Sequence, residues 1–359
     1  MTPLGKILSR RIAAEGPMSL ADYMAECLMH PEHGYYATRD PFGASGDFTT
    51  APEISQMYGE MLGLALAQGW LDQGSPAPFA LTELGPGRGT LMADILRAIR
   101  TVPGMADAAQ IHLVETSRTL RAHQARALQG HRPTWHDSVA TLPEMPHFLV
   151  ANEFFDALPI RQFERRGQGW AERHVGLAKG SLTIGIGPVA AYGALDSRIA
   201  DTRDGDIVEV CPALPAIAAE IGNRIARHGG LAIVVDYGGW HSLGDTLQAL
   251  AGHRPVSPFD APGEADLTAH VDFEALAHSL GMTQGVCVTP LVPQGVFLER
   301  LGITGRARQL ARHLTGQPLE SHVAAHRRLT HPEEMGQLFK VIAGYRKDSP
   351  CPPGFDPLP

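Results

Sequence analysis

Apolar residues recur at helical spacing over positions 4–14 and 20–29. They do so again from 53 to 72, where Ile54, Met57, Tyr58, Met61, Leu62, Ala65 and Leu66 share one face before Gln73-Gly74-Ser75-Pro76 stops the run. Positions 30–52, rich in Gly, Pro, Tyr and Phe, show little periodicity and read as a long loop, functional or disordered. Beyond 76 the pattern changes. Continuous apolar runs of strand length at 79–84, 111–115, 148–151 and 231–236 alternate with helical stretches at 91–100, 116–128 and 214–227. Such alternation predicts an α/β fold, a doubly wound and mostly parallel sheet with helices on both faces. From 161 to 210 short polar-apolar alternations are broken by Gly167, Gly169, Gly180, Gly185 and Gly187, which predicts an antiparallel β insertion between the fourth and fifth core strands. After Pro290 the spacing predicts two helices, 296–314 and 332–345, and a frayed Pro-rich end. The expected organisation is an N-terminal helical cap over 1–75, a core over 76–290 with its insertion near 160–210, and a helical extension over 291–359.

Composition narrows the classes. With 359 residues and 44% hydrophobic content the chain can bury a large core. A net charge of -8 with both signs interspersed offers no basic tract for a phosphate backbone, so nucleic acid is not expected as a partner. Cys27, Cys211, Cys287 and Cys351 lie far apart without a CxxC pair, which argues against a zinc knuckle or disulfide framework. No HExxH-like spacing occurs, and no metal is expected. No apolar run approaches the ~20 residues that span a bilayer, so membrane insertion is not expected. The start carries Lys6, Arg10 and Arg11 as in a weak targeting helix, but Glu15 follows and a plain first helix is the better reading. Reduced thiols in a cytosol-like compartment are expected.

The principal chemical signal is Glu83-Leu84-Gly85-Pro86-Gly87-Arg88-Gly89 between a buried strand and a helix. Glycines at 85, 87 and 89 allow a sharp turn and close backbone approach to a ligand. A dinucleotide fingerprint would read GxGxxG above a pyrophosphate. Here the spacing is GxGxG, preceded by a carboxylate suited to an ammonium, which favours S-adenosyl-L-methionine over NAD. Glu115 ends the next strand where a doubly wound fold places a ribose-hydroxyl acceptor, although a helix-capping acid would look the same. Asp137 and Ser138 follow the third strand. Asp137 could accept from an adenine amino group, with Trp135 or His136 walling the ring, or could serve only as a turn residue.

The fourth strand runs into Asn152-Glu153-Phe154-Phe155-Asp156-Ala157-Leu158-Pro159, at the carboxyl edge where ligands bind open α/β sheets. Methyl transfer from a sulfonium is an in-line displacement that needs positioning. A guanidinium acceptor is itself cationic, so carboxylates must neutralise it and hold it by paired hydrogen bonds. Glu153 and Asp156 can supply that charge, and the Asn152 side-chain carbonyl can orient the nucleophile; a capped turn is the alternative for Asn152 and Asp156.

These motifs, with Ser45-Gly46-Asp47-Phe48-Thr49-Thr50-Ala51-Pro52-Glu53 and Asp266-Leu267-Thr268-Ala269-His270-Val271-Asp272-Phe273, together resemble the MidA-like family over about residues 20–345. The resemblance implies a class I S-adenosyl-L-methionine-dependent methyltransferase with family-specific insertions. For the mitochondrial branch, whose members are complex I assembly factors, it implies symmetric dimethylation of an arginine on an NADH dehydrogenase subunit; abundant Ala, Gly and Arg point here to a bacterial member. The acceptor side is expected to use Tyr36, Asp47 and Phe48 from a loop that folds over the donor, Asp236 and Tyr237 after the fifth strand, and His270. Arg306, Arg308 and Arg312 read as a solvated basic face. A small-molecule methyltransferase and a donor-binding assembly factor without essential catalysis are the alternatives, because this core serves many acceptors.

Overall fold

Six consecutive buried residues form β1 (Phe79–Leu84), which can only be a central strand. In the computed structural model, which describes residues 1–38, 50–252 and 254–355, β1 lies between β2 (Ala109–Val114) and β4 (His147–Asn152), parallel to both. Outward from β2 runs β3 (Thr134–His136), and outward from β4 runs β5 (Gly230–Gly239), again parallel. One strand then reverses direction: β7 (Phe339–Arg346) pairs antiparallel with β5, and β6 (Val286–Val288) pairs antiparallel with β7 and so runs with the core strands again. The resulting order is β6-β7-β5-β4-β1-β2-β3. Chain order reverses between β1 and β4, which opens a crevice at their carboxyl ends.

The chain divides into two compact units. One holds residues 49–155, 215–240 and 273–359 and contains this sheet. Its helix α1 (Gln56–Asp72) packs on α2 (Thr90–Ile99) at short range, for a Cβ at Gly59 would lie 2.5 Å from the Asp94 Cβ. The helix expected from 53 is interrupted at Ser55, whose extended backbone and hydroxyl, accepting the Met57 N–H at 3.2 Å, cap α1. The helix α3 (Arg118–Ala127) follows β2.

The expected helix over 332–345 is corrected. After a single turn at Met335–Leu338 the chain forms β7, in register with β5 from Leu231↔Tyr345 to Tyr237↔Phe339. Val341, Ile342 and Ala343 are fully buried, so this short run has no polar face from which to judge its period. The expected 296–314 helix also breaks, at Gly302 (φ +90°), into Gln294–Arg300 and Ile303–Ala311, and Gln317–Thr330 adds a helix that the pattern did not suggest. Arg306 is not part of a solvated face: its Nε and Nη2 donate to the two oxygens of Glu60, at 2.7 and 3.0 Å, and Glu60 on α1 is 5% exposed. Arg306→Ala leaves that carboxylate without its paired donors and is expected to cost about 1–3 kcal/mol, read by denaturant unfolding.

The second unit holds residues 1–48, 156–214 and 241–272. The helices Pro3–Glu15 and Leu20–Met29 bury Leu8, Tyr23 and Met24 together with Ile160, Val175 and Leu267. The insertion is antiparallel as expected, with Arg161–Arg166, Gly169–Ala178, Ser181–Ala190 and Ile207–Val210 joined by the short strand Met18–Ser19. Cap, insertion and residues 241–272 thus share one unit, because the apolar faces of the first helices are covered by residues far along the chain.

Candidate active site

The β1 strand carries Glu83 to the crevice with 2% of its surface exposed. The next turn requires Gly85, Gly87 and Gly89, all in the left-handed region at φ +62°, +52° and +84°. A Cβ at Gly85 would stand 3.1 Å from the Phe154 ring, so the glycine loop closely abuts the segment after β4. Burial, opposed by a hydrogen bond from the Met92 N–H and reinforced by Asp94 and Glu115, pushes the Glu83 carboxyl up to about 8. Among the described residues its Oε2 has no hydrogen-bond partner. A buried carboxylate oxygen without a donor is suited to receive a cation, and an ammonium would supply both charge and N–H.

The Glu115 carboxylate after β2 accepts the Ser117 N–H at 2.8 Å and the Gln124 amide at 3.2 Å, and burial raises its pKa. Gln124, a fully buried residue of α3 that the sequence pattern did not single out, also donates to the Gly87 carbonyl at 2.8 Å and accepts the Trp135 indole N–H at 2.8 Å. Asp137 is exposed and paired with Arg121, whose Nε donates to the Glu115 carbonyl at 2.8 Å. The Ser138 hydroxyl accepts the Ala140 N–H at 3.2 Å and caps the 3-10 turn Val139–Thr141. Glu83, the glycines and Glu115 are therefore assembled around one crevice, with Asp137 and Ser138 at the end of β3.

At the end of β4 the Asn152 side chain is 8% exposed and doubly engaged. Its Oδ1 accepts the Tyr58 hydroxyl and its Nδ2 donates to Glu153 Oε1 at 3.0 Å. A carboxylate cannot donate, so this amide orientation is the one the chemistry allows. Tyr58 takes one of the two lone pairs of that oxygen, so this bond does not bar the expected role of the Asn152 carbonyl in orienting a nucleophile. Glu153 adopts φ +51°, a left-handed conformation unusual for a residue with a side chain. It is held there by its own N–H, which donates to the Val235 carbonyl at 2.9 Å, while Oε1 also accepts the Ala51 N–H at 3.4 Å. Glu53, beside Ala51 in the turn Ala51–Ile54, accepts the Thr90 hydroxyl at 2.6 Å.

Asp236 at the end of β5 is fully buried, and its Oδ2 accepts the N–H groups of Phe154 and Phe155 at 3.2 and 3.0 Å. It fastens the turn that presents Glu153. Tyr237 is 7% exposed and packs edge-on against Phe339, at 5.5 Å between ring centroids.

Tyr58 is the functional candidate that pattern reading missed, because its position on the apolar face of α1 made it look like plain core. Burial, then Glu153, Asp236 and Glu83, hold its phenol well above the ordinary range, so it remains a donor to Asn152. Tyr58→Phe is expected to leave the buried Asn152 carbonyl unpaired at a cost of about 1–3 kcal/mol, visible as a lower thermal midpoint.

Three expected site residues belong to the other unit. The Tyr36 hydroxyl donates to Asp266 at 3.0 Å; Asp156 is 5% exposed, and its backbone carbonyl accepts the Ala269 N–H at 2.9 Å. His270 is exposed, with its N–H donating to the Thr246 hydroxyl at 2.8 Å. Asp47 and Phe48 lie outside the described residues. Among the described residues no group of three or more His, Cys, Asp or Glu could hold a metal, and no helix is long and apolar enough to cross a membrane.

Residues 61–291 match the family described as "Putative S-adenosyl-L-methionine-dependent methyltransferase". The chain belongs to this family. Curated relatives agree: "Protein arginine methyltransferase NDUFAF7, mitochondrial" of Danio rerio is 36% identical, covering 94% of this chain and 86% of that one. The protein of the same name from Homo sapiens is 35% identical, covering 96% and 83%. A solved structure from Burkholderia thailandensis, bound to S-adenosyl-homocysteine, superposes with a TM-score of 0.82 at 30% identity, covering 99% of this chain and 92% of that one. The doubly wound class I methyltransferase fold and S-adenosyl-L-methionine as cofactor follow for this family member. The orphaned Glu83 oxygen and the side-chain-free loop at Gly85 fit such a cofactor, whose ammonium and lack of phosphate match this crevice.

Proposed function

We propose that this methyltransferase modifies a protein arginine, with Glu153 as the catalytic carboxylate. The observation that carries the reading is the strained Glu153 backbone, braced by Asn152, Tyr58 and the Asp236-fastened turn beside the glycine loop. Residues held in a costly conformation cluster where chemistry requires a group in one place. The bound donor supplies an electrophilic methyl group. Glu83 would receive the donor ammonium, Gly85, Gly87 and Gly89 would let backbone reach it, Glu115 would accept from its ribose, and Asp137 with Ser138 would border its adenine.

Glu153 accepts hydrogen bonds from the acceptor guanidinium, offsets its charge next to the sulfonium and localises the positive charge away from the attacking nitrogen. The nitrogen's N–CH3 bond forms as the donor's S–CH3 bond breaks with its electron pair staying on sulfur, which leaves S-adenosyl-homocysteine, and one N–H proton is released to water. Tyr36, Asp47, Phe48, Asp156, Asp236, Tyr237 and His270 are the residues assigned to the acceptor side. The relatives' name as protein arginine methyltransferases supports this acceptor class, and their mitochondrial label together with the MidA-like resemblance supports a subunit of NADH dehydrogenase as the protein acceptor. The compartment is then the one that holds that subunit, the matrix or a bacterial cytoplasm.

The test is incubation of the protein with methyl-labelled donor and a respiratory-membrane extract, followed by peptide mass spectrometry. Label on arginine, absent with Glu153→Gln, supports the proposal. Label confined to lysine or to the small-molecule fraction overturns it.

A further inference from the structure

Gln124 is a fully buried amide on α3, at a position where packing alone would favour an apolar residue. A buried amide is tolerated when its groups are bonded, and here both N–H groups and one carbonyl lone pair are engaged. Nε2 donates to the Gly87 carbonyl at 2.8 Å and to Glu115 Oε2 at 3.2 Å, while Oε1 accepts the Trp135 Nε1–H at 2.8 Å. Two acceptors on one side and a donor on the other permit only one orientation of the amide. The three partners come from three places: the loop after β1, the end of β2 and the end of β3. The α3 backbone can come this near because Gly89 has no side chain; a Cβ there would lie 3.3 Å from the Gln124 Cα.

We propose that Gln124 is the positioning residue of the donor site, locking the Gly87 backbone, the Glu115 carboxylate and the Trp135 indole into the one arrangement that S-adenosyl-L-methionine binds. The inference rests on the donor reading of the glycine loop. Glu115 is held from both sides, by the Ser117 N–H at 2.8 Å and by Gln124, so its remaining lone pairs have a fixed direction. The indole plane is fixed by the same amide. Without it, the loop carbonyl and the carboxylate each lose a donor and Trp135 loses its acceptor, and donor binding must then restore the arrangement at its own cost.

Isothermal titration with S-adenosyl-homocysteine, on the full chain, tests this. Gln124→Leu removes three bonds and is expected to weaken binding by about ten- to a hundredfold, at about threefold for each bond. Gln124→Glu keeps the acceptor for Trp135 but cannot donate, and its deficit against the parent should narrow as the pH falls and a protonated carboxyl regains one donor. Trp135→Phe, which removes one bond, should cost about threefold. A residue that only packs would lower the thermal midpoint of Gln124→Leu and leave the affinity of the folded protein unchanged, which overturns the proposal. If Gln124→Leu does not fold, parental affinity in both Gln124→Glu and Trp135→Phe overturns it equally. Gly87→Val separates the two levels. If it binds like the parent, the donor reading itself fails; if it loses binding while Gln124→Leu retains it, only the role of Gln124 falls.

Discussion

Glu153→Gln is expected to slow methyl transfer by about a hundred- to a thousandfold while leaving S-adenosyl-homocysteine affinity within about threefold, the size of effect seen when one preorganised electrostatic group is removed. Glutamine has the same shape, so the bond from the Asn152 amide to its oxygen can persist and the turn can stay in place. What disappears is the negative charge that offsets a guanidinium facing a sulfonium. Single-turnover kinetics with labelled donor separate the two quantities. The backbone adds a second signature, because φ +51° costs a residue with a Cβ about 1–2 kcal/mol relative to glycine. Glu153→Gly should therefore be more stable than Glu153→Ala by about 1 kcal/mol in denaturant unfolding, with both inactive. Wild-type rates in Glu153→Gln would remove this residue from the chemistry.

Donor affinity should rise steeply as the pH is raised from 6 towards 8. Without donor, burial and the nearby Asp94 and Glu115 push the Glu83 carboxyl up to about 8, against the Met92 N–H, so it carries a proton at neutral pH. Pairing with the donor ammonium requires the carboxylate. Binding below that pH therefore releases a proton, and the dissociation constant falls towards a limit of about tenfold per pH unit. Above about 8 the donor's own α-amino group loses its proton, binding then takes one up, and affinity passes through a maximum. Glu83→Gln should abolish the acid limb and weaken binding at pH 8. The same group acts on stability with the opposite trend. Its folded pKa lies above the unfolded value near about 4.3, so the protonated form favours the fold and this contribution is lost as pH rises through 8. Glu83→Gln should accordingly raise the thermal midpoint of the donor-free protein more at pH 9 than at pH 6. Titrations in buffers of different ionisation enthalpy would detect the released proton, and a pH-independent affinity would remove Glu83 from the ammonium site.

The core sheet was legible because its strands announce themselves locally. The apolar run at 79–84, the glycines that end it and the acid that closes the next strand are dictated by burial and by φ, which act within a few residues. The antiparallel character of 161–210 came through for the same reason, since glycines and two-residue alternation are local marks.

Other features depend on partners distant in sequence. The segment at 339–346 became a strand because β5 offers it a complete ladder, and its apolar run is too short for periodicity to decide. Arg306 finds its carboxylate 246 residues away, and Tyr58 finds Asn152 at a separation of 94, so an ion pair and a hydrogen bond replace an expected solvated face and an expected plain core position. Gln124 carries no signal at all in the linear pattern, since a lone glutamine in a helix is ordinarily solvated.

What the sequence by itself determined is the tight backbone turn and the polar residue types at the strand ends: the glycine loop, Glu83, Glu115 and the Asn152-Glu153 pair. The tertiary structure alone decided which of those groups are aimed and which are held. Aiming requires hydrogen bonds between strands that meet only after the sheet has formed, and the cost of an unpaired buried polar group then selects Tyr58, Gln124 and Asp236 to hold them.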